Sequence, residues 1–198
     1  MNSHVPLYPT QFYHIYNRGN NRENIFIEER NYSYFLHLYA RYIEPVVQTY
    51  AYCLLRNHFH FLVKIKDIGE YQELTRSSKP PSQYFSNFFN AYARTINLTY
   101  GRTGALFQRP FGRKLVLSQG HLLHLVRYIH HNPEKHGFVD DYRDWPYSSY
   151  RAIISDRPTH LEWVETLAWF GGKEGLQENH QVKVFDKCVR YLIEEDEI

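Results

Sequence analysis

The 198-residue chain predicts an α+β fold, a ferredoxin-like or RRM-like βαββαβ antiparallel sheet with a helix after its last core strand and a helical C-terminal tail. Three observations carry this reading. Two aromatic-rich runs, residues 46–55 and 58–66, are joined only by Arg56-Asn57, as in a hairpin. A third alternating run, Thr10 to Tyr16, precedes them, with helical periodicity from Glu28 to Ile43 in between. A second long helical run and a further strand-like run follow. The order is therefore strand, helix, strand, strand, helix, strand, helix.

Each element has local reasons. Asn17-Arg18-Gly19-Asn20-Asn21 ends the first strand as a turn or loop. Tyr34, Leu38, Arg41 and Tyr42 recur at helical spacing with Phe35 and Tyr39 beside them, and Glu44-Pro45 stops that helix. After the hairpin comes a polar stretch ending in Pro80-Pro81. Ser82 is expected to cap an aromatic helix through about Asn97. Tyr100 to Gly104 reads as a turn and Leu106 to Leu117 as a basic strand. Ser118 is expected to cap a helix with apolar Leu122, Leu123, Leu125, Val126 and Ile129, ended by Pro133 and Gly137. Residues 1–150 read as one domain and 151–198 as an acidic helical extension, with helices at Leu161–Phe170 and Val184–Glu195 separated by Gly171-Gly172.

An apolar content of 43% supports a packed core and excludes a disordered tail or a disulfide-stapled miniprotein. The formal charge of +2 conceals a strong asymmetry. Residues 1–73 carry seven basic and seven acidic side chains; residues 74–133 carry eight basic and none acidic; residues 134–198 carry eight basic and fourteen acidic. An acid-free block of this length suggests a surface that meets a polyanion, although a basic face balanced by an acidic tail would look the same. Cys53 and Cys188 form no zinc-type spacing, and a reducing cytosolic compartment fits them. The start shows no signal-peptide pattern, and no apolar run approaches the roughly 20 residues of a bilayer span. No membrane partner is expected.

His58-Phe59-His60-Phe61-Leu62-Val63 is the most informative stretch. Alternate side chains of a strand share a face, so His58 and His60 point one way while Phe59, Phe61 and Val63 point into the core. Two imidazoles so placed can share one divalent ion, or can simply hydrogen-bond on the sheet surface. Tyr128 and Asn132 stand four apart near a helix end and share a helical face. Asn132 offers a neutral ligand or a hydrogen-bond partner.

The His58-Phe59-His60 strand resembles the His-hydrophobe-His signature of the single-tyrosine (HUH) nucleases and transposases. Arg127-Tyr128-Ile129-His130-His131-Asn132-Pro133 resembles the tyrosine helix of one branch, the REP-associated tyrosine transposases; relatives in small insertion sequences carry glutamine at the position of Asn132. Tyr16-Asn17-Arg18-Gly19-Asn20, Arg102-Thr103-Gly104-Ala105-Leu106-Phe107-Gln108 and Trp145-Pro146-Tyr147-Ser148-Ser149-Tyr150 resemble the same branch, so the likeness spans residues 10–150 in order.

The resemblance implies a bacterial, cytoplasmic, nucleoid-associated enzyme that cuts and rejoins single-stranded DNA beside a hairpin. Tyr128 would attack a phosphodiester, become linked to the 5′ phosphate and release a 3′ hydroxyl. His58, His60 and Asn132 would hold Mg²⁺ or Mn²⁺, which would offset the charge developing on the phosphate. Arg102, Gln108, Arg109, Arg113 and Lys114 around the last strand, and Asn17, Arg18, Asn20 and Arg22 at the first turn, are expected to contact DNA, with interleaved aromatics stacking on unpaired bases. His124, four residues before Tyr128, is a candidate helper that would orient the phenol or take its proton. The REP-associated branch implies a monomer, although relatives in small insertion sequences exchange the tyrosine helix between subunits. The rival reading is a non-catalytic repressor or RNA binder on the same fold, which would have no need of the full set His58, His60, Tyr128 and Asn132.

Overall fold

The computed structural model describes residues 5–155 and 157–182. Its four-stranded antiparallel sheet runs β2 (Val47–Leu54), β3 (His58–Ile65), β1 (Phe12–Arg18), β4 (Gly112–Leu115). The central pair β1 and β3 is in continuous register from Phe12↔Lys64 to Arg18↔His58. This is the order that the βαββαβ pattern requires.

One face of the sheet is the aromatic core. Helices α1 (Glu29–Tyr42) and α3 (Pro81–Thr99) cover it. Phe61 stacks on Tyr39 with ring centroids 4.5 Å apart, and Phe35 meets Phe88 at 4.7 Å and Phe59 at 5.1 Å. The opposite face carries α4 (Gln119–Lys135) across β2 and β3. Ser118 caps α4 by accepting from the His121 amide.

Several expected boundaries move. Pro133 does not end α4: the helix continues to Lys135, and Gly137, at φ +68°, closes it. A proline near the last turn sacrifices one helical hydrogen bond, and the chain beyond it can still complete the turn. The aromatic helix starts at Pro81 and is capped by Pro80 without a side-chain bond, not by Ser82. The polar stretch holds an unexpected helix, α2 (Ile68–Thr75), capped by Asp67 accepting from the Gly69 amide at 2.8 Å. The last strand is far shorter than 106–117, because residues 106–111 cross the end of β1 with only a Gly19–Phe107 bridge. Pro110 has no amide hydrogen to extend a ladder.

After α4 the chain lies along β2. Leu54 donates to the Tyr147 carbonyl, Ser149 donates to the Tyr52 carbonyl, and the Trp145 indole donates to the Leu54 carbonyl. Helix α5 (Tyr150–Ile154) follows, then α6 (Trp163–Phe170) and α7 (Lys173–Gln181). Gly171 and Gly172 lie between α6 and α7, a helix that the sequence reading did not expect, while the expected Val184–Glu195 helix and Cys188 fall outside the described residues. Trp169 of α6 stacks on Tyr50 at 4.9 Å, and Tyr50 donates to the Glu165 carboxylate at 2.7 Å. Buried Leu167, Leu176, Ile153, Tyr142 and Tyr150 form a second apolar cluster. No described helix is long and apolar enough to cross a membrane.

Where α7 crosses α4, the buried rings of His130 and His180 bond each other at 2.8 Å. Burial holds both below the usual imidazole range, His180 at about 3. The unfolded chain protonates these rings near pH ~6.5, whereas the fold resists protonation until far lower. Below that pH the unfolded state binds more protons, so stability is full above it and falls on acidification. The midpoint of urea unfolding is expected to drop steadily from pH 7 to pH 5, and His180→Gln is expected to flatten that slope.

Candidate active site

The α4 side of the sheet is where β3 presents His58 and His60. In β1 the residues on this face are His14, Tyr16 and Arg18, paired with Leu62, His60 and His58 respectively. In β4, Lys114 pairs with His14 and Gly112 with Tyr16. The Tyr16 ring lies directly over the Gly112 Cα: a Cβ there would sit 2.2 Å from the ring. Glycine at 112 therefore lets Tyr16 lie flat beside the His60 ring, with centroids 6.2 Å apart.

Helix α4 brings the other two residues to the same place. His58 Nε2 lies 3.1 Å from Asn132 Oδ1, and the Tyr128 ring meets the His60 ring edge-to-face at 5.5 Å. All four side chains are buried. Burial, the neighbouring His136 and the Arg18 charge hold His58 at about 3, opposed by its bond to Asn132; burial and His14 push His60 the same way. Both imidazoles are thus neutral and able to act as ligands.

The donor set fits a divalent cation. His58 has an amide oxygen at each ring nitrogen, Asn57 Oδ1 2.7 Å from Nδ1 and Asn132 Oδ1 3.1 Å from Nε2; a neutral imidazole carries one N–H, so as these amides are oriented a lone pair faces one of the two oxygens. With the proton on Nδ1, the Nε2 lone pair and the Asn132 oxygen would be two acceptors that a cation between them reconciles. Asn132 Nδ2 is buried and has no hydrogen-bond partner among the described residues. Also among the described residues, no group of three or more His, Cys, Asp and Glu is placed to hold a metal ion. A cation here would need Asn132 as its third protein ligand.

The sequence reading missed His14, whose Nε2 lies 2.9 Å from His60 Nδ1. The signal was present: His14 is an alternate residue on a strand, on the same face as Tyr16 and Arg18. It missed Asn57 as well, and Lys135, whose ammonium lies 5.4 Å from the Tyr128 ring centroid. His124 stands one turn before Tyr128, and burial lowers its pKa; among the described residues the His60 and His14 rings meet Tyr128 edge-to-face. Tyr128 also lines a cleft of about 720 Å³ with Glu134, Lys135, Asp140, Asp141 and Arg143.

The expected DNA-contacting residues separate into groups. Arg18 and Lys114 share the face of His58 and His60. Asn17, Gln108, Arg109 and Arg113 gather on the opposite side, around a groove of about 650 Å³ between α3 and residues 104–113, whose lining contains no carboxylate. Arg113 lies over the Phe111 ring at 4.8 Å. Asn20 and Arg22 occupy a 3₁₀ turn after β1, and Arg102 is tied to Glu23 by an ion pair.

No protein-family model matches the chain. A Haemophilus influenzae protein named "Putative REP-associated tyrosine transposase" is 28% identical over 125 residues, which cover 59% of this chain and 66% of that protein. The chain thus aligns with just under two thirds of that relative's length. A solved structure of a REP-associated tyrosine transposase bound to a REP hairpin superposes with a TM-score of 0.60 at 17% identity, over 80% of this chain and 88% of that one. In sequence and in fold, the chain resembles the REP-associated tyrosine transposases.

Proposed function

We propose that the chain is a cytoplasmic, metal-dependent strand transferase that cleaves and rejoins single-stranded DNA beside a hairpin, through a 5′-phosphotyrosine at Tyr128. One observation carries the reading: α4 delivers Asn132 to within 3.1 Å of His58 while setting Tyr128 against His60. A purely binding protein gains nothing from that convergence.

His58, His60 and Asn132 would hold the divalent ion, Mg²⁺ or Mn²⁺, which when bound polarises the scissile phosphate. The other roles belong to the chain itself. Tyr128 Oη forms a bond to phosphorus as the bond to the 3′ oxygen breaks. The phenolic proton passes to water and the released oxygen takes one up. The Lys135 ammonium over the ring, 5.4 Å from its centroid, places a positive charge beside Tyr128. His14 holds the His60 ring so that Nε2 faces the substrate side. Arg18 and Lys114, on the same face, meet phosphate oxygens near the break. The groove holding Asn17, Gln108, Arg109 and Arg113 takes the strand leading away, its amides facing bases and its guanidiniums phosphates. Because the phosphotyrosine bond keeps the energy of the broken one, a 3′ hydroxyl can attack it and reseal the strand.

Incubating the protein with end-labelled single-stranded hairpin DNA and Mn²⁺ is expected to give a covalent adduct on a denaturing gel. Tyr128→Phe is expected to abolish it; an adduct that survives this change would assign the nucleophile elsewhere. Product turnover without any adduct would point to hydrolysis by water. Calorimetric titration with Mn²⁺ is expected to show His14→Ala binding about 10–100-fold more weakly than the wild type. Replacing Arg109 or Arg113 by alanine is expected to lower hairpin affinity and to reduce the slope of log K against log salt by about 1 for each phosphate no longer neutralised.

A further inference from the structure

Helices α6 and α7 are more than a cover for the second apolar cluster. The Leu176 carbonyl can only accept, so the proton of His180 sits on Nδ1, which donates to it at 2.8 Å. His180 Nε2 is then a lone pair and accepts from His130 Nδ1 at 2.8 Å. His130 Nε2 is in turn a lone pair and accepts from the Ser149 hydroxyl at 2.8 Å. The Ser149 oxygen accepts from the Tyr52 amide at 2.8 Å. Every atom in this relay has one role, and it links α7, α4, residue 149 and β2 in a single direction. Beside it, His131 Nε2 donates to the His180 carbonyl at 2.9 Å, and the Arg127 guanidinium donates to the Val182 carbonyl.

Packing alone would not require this. Leu176 is fully buried and anchors α7, and a Cβ at Gly175 would lie 2.0 Å from the Phe170 carbonyl oxygen, so α7 already folds tightly onto the end of α6. An apolar side chain at 180 would have completed the cluster. The fully buried His130 and Ser149 and the nearly buried His180 instead make directional bonds, which fix the rotation of α4 about its axis as well as its attachment. The three α4 residues so held, Arg127, His130 and His131, bracket Tyr128 and adjoin Asn132.

We infer that residues 163–182 are a positioning element of the tyrosine helix, with His180 the residue that registers Tyr128 and Asn132 against β3. The inference rests on the reading of Tyr128 as nucleophile. It also makes the described part of the C-terminal extension, up to residue 182, part of the catalytic unit, not a separate appendage after residue 150.

The test uses the full chain. In His180→Ala, single-turnover adduct formation is expected to slow about 10²-fold, the cost of a misplacement near 1 Å, while hairpin DNA affinity stays within about twofold. Hydrogen exchange is expected to quicken across residues 124–133 and to stay unchanged in α1 and α3. His180→Gln places a carboxamide oxygen where Nε2 stood, preserves the acceptor for His130, and is expected to restore most of the rate. An unchanged rate in His180→Ala, or exchange that rises equally in α1 and α3 with rate and affinity falling together, overturns the inference. Nitrogen-resolved spectra of the wild-type imidazoles are expected to show Nδ1–H tautomers for both His130 and His180. An Nε2–H tautomer at either ring overturns the relay even if His180→Ala fails to fold. If the wild type forms no adduct, the reading of Tyr128 fails, and the exchange and tautomer measurements still decide the coupling.

Discussion

The alternation of β3 is the constraint on which everything else turns. Phe59 and Phe61 enter the ring cluster beneath α1 and α3, and His58 and His60 face α4. A slip of one residue in the β1–β3 register would drive imidazoles into the aromatic core and expose the rings. Burying several aromatic rings on one side therefore enforces, on the other, the placement of two neutral imidazoles. Folding energy and site geometry come from the same eight residues.

That constraint made much of the molecule legible in advance. Period-two alternation identified β3 and the partition of its faces, helical spacing identified α1, and apolar runs behind expected serine caps identified α3 and α4. The four-residue interval from Tyr128 to Asn132 placed both on one helical face by spacing alone. What escaped the reading depends on partners remote in sequence. His14 acquires its meaning only because β1 lies beside β3, bringing its ring to His60 from 46 residues away. The short β4 was overextended because basic, β-prone residues 106–111 look like strand, and only the path of the chain over β1 shows otherwise. Helix α2 was hidden in a polar stretch whose clearest sign, Asp67 as a cap, is local and weak. At Pro133 the local rule was right about the cost and wrong about the outcome, because the following residues complete the turn.

The charge pattern was informative in the same limited way. The acid-free block does supply Arg109 and Arg113 to a groove without carboxylates. Yet Arg102 is met by Glu23 from the turn after β1, and Lys114 faces away from that groove, toward His14. A linear tally records how many charges a segment carries; the sheet decides which of them share a surface. The charge of one segment thus pointed to a polyanion, while the division of the basic residues between two faces was a property of the fold alone.

The segment from Trp145 to Ser149 also bears on how copies of this chain meet. A bare edge strand invites a second sheet to add to it. Along β2 the carbonyls of Tyr52 and Leu54 and the Leu54 amide are already bonded to this segment, so that margin offers little for another strand to pair with. The opposite margin, β4, is four residues long and carries Arg113 and Lys114. Neither side of the sheet is a ready template for ribbon-like growth. A chain rich in tyrosine and phenylalanine thereby has neither margin of its sheet open to cross-strand aggregation.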